Sequence, residues 1–231
     1  IDRGTEAVQA IYSRRAEGKD APTFYKNFYY HYTFTRRIRG DYITGCGTFF
    51  FAVRRDLFME LGGFDENIPG ATVEDADFAA RLISAGGRII IAREIEVLHL
   101  RKYTFGQLMR YEWNMMRSKV LYLLRRGEGH GSPSVSMARP REMIPVLLGA
   151  VAVWPMFIGF LMTAMGAGIG PGAFAAGFLL IAAGHYGFWS GAVKQGGWRG
   201  LGAIALTFPD LALILPAAIS GGLSYIAGRK Y

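Results

Sequence analysis

The sequence predicts an α/β domain followed by amphipathic interface helices and an all-α transmembrane region, and three observations carry that prediction. Of its 44 Asp, Glu, Lys and Arg residues, only Lys194, Arg199, Asp210, Arg229 and Lys230 lie beyond Glu142, so the two parts suit different solvents. An uncharged run of 51 residues extends from Met143 to Val193, whereas a helix needs only ~20 apolar residues to cross the hydrocarbon core. Between Asp41 and Leu100, short apolar runs alternate with turn glycines, as expected of strands and helices joined by tight connections.

Taken in order, residues 1–20 are polar and compatible with a helix. Phe24 to Ile38 mixes aromatics with Arg36 and Arg37, which suits either a membrane interface or an amphipathic helix packed on a sheet. Thr48-Phe49-Phe50-Phe51-Ala52-Val53 is a buried-strand candidate behind the flexible Gly45-Cys46-Gly47 turn. Arg54 to Leu61 reads as a short helix stopped by Gly62-Gly63. A further helix opens with Thr72 as N-cap and Asp75 three residues later, a capping-box-like pattern, with Val73, Phe78, Leu82 and Ile83 as its apolar face. Glu74 and Asp75 then occupy the first turn, where the helix dipole stabilises ionised carboxylates by ~0.3–1 kcal/mol each. Strands follow over Arg88 to Ala92 and Ile95 to Leu100.

Tyr103 to Arg126 interleaves apolar and basic residues, which suits a helix at the lipid boundary or one packed between domains. Gly127 to Ser136 reads as a loop. Three spans are expected, at 143–165, 173–193 and 201–228, with a turn around Pro171 and with Gly and Ala allowing close helix packing in lipid. The expected domain limits are 1–102, 103–142 and 143–231. Basic residues before the first span (Arg125, Arg126, Arg139, Arg141) and after the second (Lys194, Arg199) place the α/β domain on the cytoplasmic side. Arg229 and Lys230 run against that trend, so the last segment is expected to be re-entrant or to pair with a fourth span. His185 and Asp210, ionisable groups within the spans, are candidates for an ion path.

The net charge of +8 fits attraction to anionic headgroups, and no basic patch coincides with a nucleic-acid-binding module. The single cysteine, Cys46, excludes an internal disulfide and a zinc site of several thiolates. The chain starts at Ile1 without a signal-peptide pattern and is expected to be a fragment or a processed product.

The ordered series Cys46-Gly47-Thr48, Arg54-Arg55, Gly62-Gly63-Phe64-Asp65, Val73-Glu74-Asp75, Arg81 and Gly86-Gly87 resembles the carboxyl half of the catalytic domain of glycosyltransferase family 2. The resemblance covers about Asp41 to Arg126 and implies a partial GT-A, Rossmann-like fold. It makes Asp75 the general base, with Glu74 positioning it or the acceptor. Cys46, Gly47 and Thr48 would line the sugar site, and Asp77 is expected on the helix surface. Gln107-Leu108-Met109-Arg110-Tyr111 resembles the Gln-Xaa-Xaa-Arg-Trp signature of processive members such as cellulose and hyaluronan synthases, with Tyr in place of Trp. Gln107, Arg110 and Tyr111 are accordingly assigned to substrate, Arg110 toward the diphosphate. His99 falls where a His of many GT-A enzymes helps hold the metal. The resemblance also implies a divalent cation, Mg2+ or Mn2+, bound mostly by a donor half with an Asp-Xaa-Asp motif expected before Ile1.

Sugar transfer from a nucleotide diphosphate requires the acceptor hydroxyl to lose a proton, a task for a carboxylate. The diphosphate gains charge, which a cation and basic side chains offset. A base opposite the leaving group implies inversion at the anomeric carbon. The expected partners are a nucleotide-sugar donor, a lipid-linked or polysaccharide acceptor and the lipid bilayer, without nucleic acid. The resemblance to polytopic family members in envelope polysaccharide synthesis implies a plasma (inner) membrane location, multi-pass, with the catalytic domain cytoplasmic. A transporter or channel component and an inert membrane-anchoring subunit are the alternatives.

Overall fold

The computed structural model describes residues 5–16, 18–68, 72–126 and 140–229; the expected loop at Gly127 to Ser136 lies outside them. The protein is mixed α/β, with a four-stranded sheet and three long apolar helices in its carboxyl-terminal part. The sheet order is β2-β4-β1-β3, from β1 (Ala7–Ala16), β2 (Tyr42–Ile43), β3 (Phe51–Val53) and β4 (Ile89–His99). β1 runs parallel to β4, while β3 and β2 pair antiparallel on either side.

β1 corrects the helical expectation for the opening residues. Ala7, Gln9, Ala10, Ile11 and Ser13 are buried, as expected for a central strand covered on both faces. Gln9 is tolerated there because its amide is saturated: Nε2 donates to the carbonyls of Ala10 and Phe50, and Oε1 accepts from the Gly47 N–H at 2.7 Å. β4 is likewise one strand where two were expected. The expected break survives as a register shift: Ala10 pairs with Ala92, but Ile11 pairs with Glu96.

Helix α1 (Ala21–Tyr32) continues into a π-helical turn at Thr33–Arg37. Asp20 caps α1 by accepting from the Thr23 N–H at 2.8 Å. The turn delivers Phe34 and Ile38 to a core with Ile11, Ile43, Phe78, Leu82 and Ile89, where a fully buried ring contributes ~1.5–3 kcal/mol. Helix α2 (Arg55–Glu60) and helix α3 (Glu74–Ser84) close that side. Val73, not Thr72, is the N-cap of α3, and no side chain caps it. The reciprocal bond comes from the neighbouring acid, with the Thr72 N–H donating to Glu74 Oε2 at 2.7 Å.

Helix α4 (Phe105–Arg126) runs along helix α7 (Trp198–Ile226), and Arg117 donates to Ser224 Oγ at 2.9 Å. Helices α5 (Ile144–Ala164), α6 (Gly170–Gly196) and α7 are each long and apolar enough to cross a membrane. Pro171 lies in the first turn of α6, where its missing N–H costs nothing, so the α5–α6 connection is shorter than the expected 166–172. α5 and α6 approach closely through glycine: a Cβ on Gly159 would lie 2.4 Å from Phe174 N and 2.7 Å from the Gly170 carbonyl. α6 and α7 meet at Gly197, whose φ of 54° lies in the left-handed region that favours glycine. α7 is a single 29-residue helix through Pro209 and Pro216.

A second core joins α1 to these helices, combining Phe24, Tyr25 and Phe28 with Leu108, Val153, Ile181, Phe188 and Leu206. Met143 packs against both cores. Within the spans, Asp210 Oδ2 accepts a 2.5 Å bond from the Tyr25 hydroxyl, and the His185 ring bonds the Ile181 carbonyl of its own helix through Nδ1.

Candidate active site

The turn after β2, the start of α3, the end of β4, α1 and one face of α4 enclose a cavity of about 410 Å³. Cys46, Gly47, Thr48, Glu74, Asp75, His99 and Tyr111 all line it, whereas Gln107 and Arg110 do not. Those two stay exposed on α4, where Gln107 Oε1 accepts from the Thr104 N–H at 2.9 Å and caps the helix. Asp77 is no surface residue: it is half-buried and held by Arg81 at 2.8 Å and by the Tyr122 hydroxyl at 3.0 Å.

Two bonds hold the turn in place. Gln9 binds the Gly47 N–H, and the Cys46 thiol donates to the Asp75 carbonyl at 3.2 Å. Burial, then the carboxylates of Asp75 and Glu74, pushes the Cys46 thiol well up, so it packs as a neutral group rather than a thiolate.

Asp75 has the chemistry of a proton acceptor tuned toward neutrality. Burial, followed by the adjacent Glu74 charge, pushes its pKa up to about 6 against bonds from backbone N–H groups and the attraction of Lys119. A carboxyl so placed is mostly ionised at pH 7, yet holds a proton far better than a surface aspartate.

His99 Nδ1 lies 2.9 Å from Asn27 Oδ1, whose own amide nitrogen donates to the Thr23 carbonyl. Because Asn27 Oδ1 can only accept, Nδ1 carries the proton and Nε2 keeps its lone pair. Burial, with the charges of Lys26 and Arg101 behind it, lowers the His99 pKa and keeps the ring neutral. The described residues hold no cluster of three or more His, Cys, Asp or Glu side chains suited to a metal. His99 Nε2 is the nitrogen through which this imidazole could join a cation.

Tyr12, Tyr30 and Tyr103, which the sequence did not single out, join the expected Tyr111 in an aromatic wall, with Tyr12 stacked 3.8 Å from the Phe49 ring and the Tyr30 and Tyr111 hydroxyls 2.8 Å apart. Behind the wall, buried Lys26 pairs with Glu112 at 2.5 Å and lies 4.4 and 4.6 Å from the ring centres of Tyr30 and Tyr111. Arg101 and Lys119 bring cations to the cavity itself. Burial, then the charge of Lys26, lowers the Lys119 pKa, with Glu112 and Asp75 opposing. Thr33 Oγ1 is the one buried side-chain polar atom without a hydrogen bond among the described residues, and Thr33 also lines the cavity.

The pattern of the lining carried a usable signal. Tyr111, Met115 and Lys119 recur every four residues on α4, and His99, Arg101 and Tyr103 alternate along an extended segment. Each set therefore presents one face.

The chain matches no protein-family model, no curated protein and no solved structure in such comparisons.

Proposed function

We propose that the cavity is the acceptor side of an inverting glycosyltransferase site of the family 2, GT-A kind, working at the cytoplasmic face of the plasma membrane. The single observation that carries this reading is the meeting of Asp75, its pKa lifted to about 6, with Glu74, the Cys46-Gly47-Thr48 turn and Tyr111 around one cavity. Asp75 takes the proton of the acceptor hydroxyl as its oxygen forms the new bond to the anomeric carbon of a nucleotide sugar. The bond to the diphosphate breaks on the opposite face, which inverts the configuration. Arg101 and Lys119, which line the cavity, rather than Arg110, which does not, face the charge that builds on the departing diphosphate. The tyrosine wall offers stacking surfaces to sugar rings, and Thr33 Oγ1 offers an unused hydrogen-bonding group. The three apolar helices keep the cavity beside a lipid-linked or polysaccharide acceptor. A divalent cation would find one candidate ligand here, His99, and the proton transfer to Asp75 does not pass through it.

The test is Asp75→Asn in membranes containing the full protein, assayed with labelled UDP- and GDP-sugars for transfer to lipid or polysaccharide. Transfer should fall by at least about 100-fold with unchanged membrane abundance. Transfer at the parental rate removes Asp75 as the base.

A further inference from the structure

A second, open groove of about 560 Å³ lies between α1 and the carboxyl-terminal end of α6, away from the Asp75 cavity. Arg14 of β1, Arg36 of the π-helical turn and Lys194 of the last turn of α6 line it, and no carboxylate does. All three are exposed, and none forms an ion pair among the described residues. Gln195 Nε2 donates to the Arg14 carbonyl at 2.6 Å, which ties the end of α6 to β1.

The rest of the groove is mixed, with Phe28 and Tyr32 beside His31, Thr35, Ser190 and Gln195, and it runs along a candidate span. From Gly187 to Gln195 it follows α6 for about 12 Å. Phe28 and Tyr32 form one wall because Gly191 and Gly187 leave them room. A Cβ at those glycines would lie 3.0 Å from the Phe28 ring and 2.6 Å from the Tyr32 hydroxyl. Beyond the groove, α6 exposes Leu179 and Leu180, the apolar surface of a helix suited to lipid. A cluster of positive charge without ion pairs among the described residues thus lies at the end of a bilayer-length helix whose apolar surface begins just beyond the groove.

We propose that this groove binds one anionic phospholipid of the surrounding leaflet, its headgroup phosphate against Arg14, Arg36 and Lys194 and an acyl chain along α6. Basic side chains at a membrane surface attract anionic headgroups, and the exposed leucines of α6 beyond the groove favour a lipid over a free phosphate. The inference requires α6 to span the bilayer and is independent of sugar transfer.

The test uses the full chain in nanodiscs of phosphatidylglycerol or phosphatidylcholine, with retained lipid counted by native mass spectrometry. The parental protein should keep one phosphatidylglycerol per chain in preference to phosphatidylcholine. Arg14→Gln/Arg36→Gln/Lys194→Gln should weaken that retention about 100-fold. Arg54→Gln/Arg55→Gln/Arg88→Gln, with the same loss of net charge elsewhere, should keep it. Melting in detergent without added lipid verifies that both variants fold. Equal retention of the two lipids, or parental retention by the first variant, overturns the proposal. So does thermal protection by inorganic phosphate equal to that by phosphatidylglycerol, which would assign the groove to a free anion.

Discussion

Replacing Lys26 by Met removes half of the pair that fastens α1 to α4 behind the tyrosine wall. The two side chains are 4% and 19% exposed, with 2.5 Å between Nζ and Oε1. At that separation and an effective dielectric near 20, the Coulomb attraction is about 7 kcal/mol, most of it offset by the cost of taking both charges out of water. Burial alone would depress the Lys26 pKa, but the Glu112 carboxylate, with Tyr30 and Tyr111 behind it, raises it well above the ordinary lysine value. The ammonium is therefore charged at neutral pH. Truncating one member leaves the other uncompensated, which costs about 3–5 kcal/mol. The expected loss for Lys26→Met is thus about 4 kcal/mol, a large share of a typical folding free energy. Lys26→Met/Glu112→Leu removes both charges and should be less destabilising than Lys26→Met alone. The assay is equilibrium unfolding of the full chain in mixed SDS–detergent micelles, followed by tryptophan fluorescence. A loss below about 1 kcal/mol for the single variant, or a double variant equal to the sum of the two singles, would refute the reasoning.

Asp75 predicts a pH dependence of unusual sign for an acid. Its folded pKa of about 6 exceeds the ordinary 3.8, so the folded state binds the proton more tightly and stability falls as pH rises through that window, by up to about 3 kcal/mol. Unfolding titrations from pH 4 upward should show this decline, and Asp75→Asn should flatten it; an unchanged slope in the variant would contradict the assignment. Gly159→Val should destabilise the α5–α6 pair by about 3 kcal/mol, because its Cβ would meet backbone at 2.4 Å, whereas Gly172→Ala, whose Cβ meets nothing within 4 Å, should melt at the parental temperature. Detergent melting curves of the two variants check the contrast.

What could be read from the sequence was mostly local. The uncharged run and the apolar stretch after Leu201 marked the three apolar helices because length and composition are properties of contiguous residues. The Gly62-Gly63 pair likewise marked the end of α2. β1 was hidden because Ala, Gln, Ser and Arg are ordinary helix formers in isolation. Its strand conformation comes from pairing with β3 and β4, whose residues lie more than forty positions away. Cavity membership shows the same division. Tyr111 was legible as an aromatic in a motif, but Arg110 beside it turns about 100° around the helix and leaves the cavity face. Lys119, two turns further on, returns to that face. The Tyr122 partner of Asp77 was invisible for a similar reason, since it reaches the carboxylate from α4.

The core that α1 and α4 share with α5, α6 and α7 binds the fate of the two halves together. Stripping away the apolar helices would bare Phe24, Tyr25 and Phe28, three rings now buried against them, and would remove the carboxylate that receives the Tyr25 hydroxyl. A piece cut near residue 142 would therefore carry those rings on its surface. The three apolar helices thus support the cavity-bearing half from behind, rather than acting as a tether.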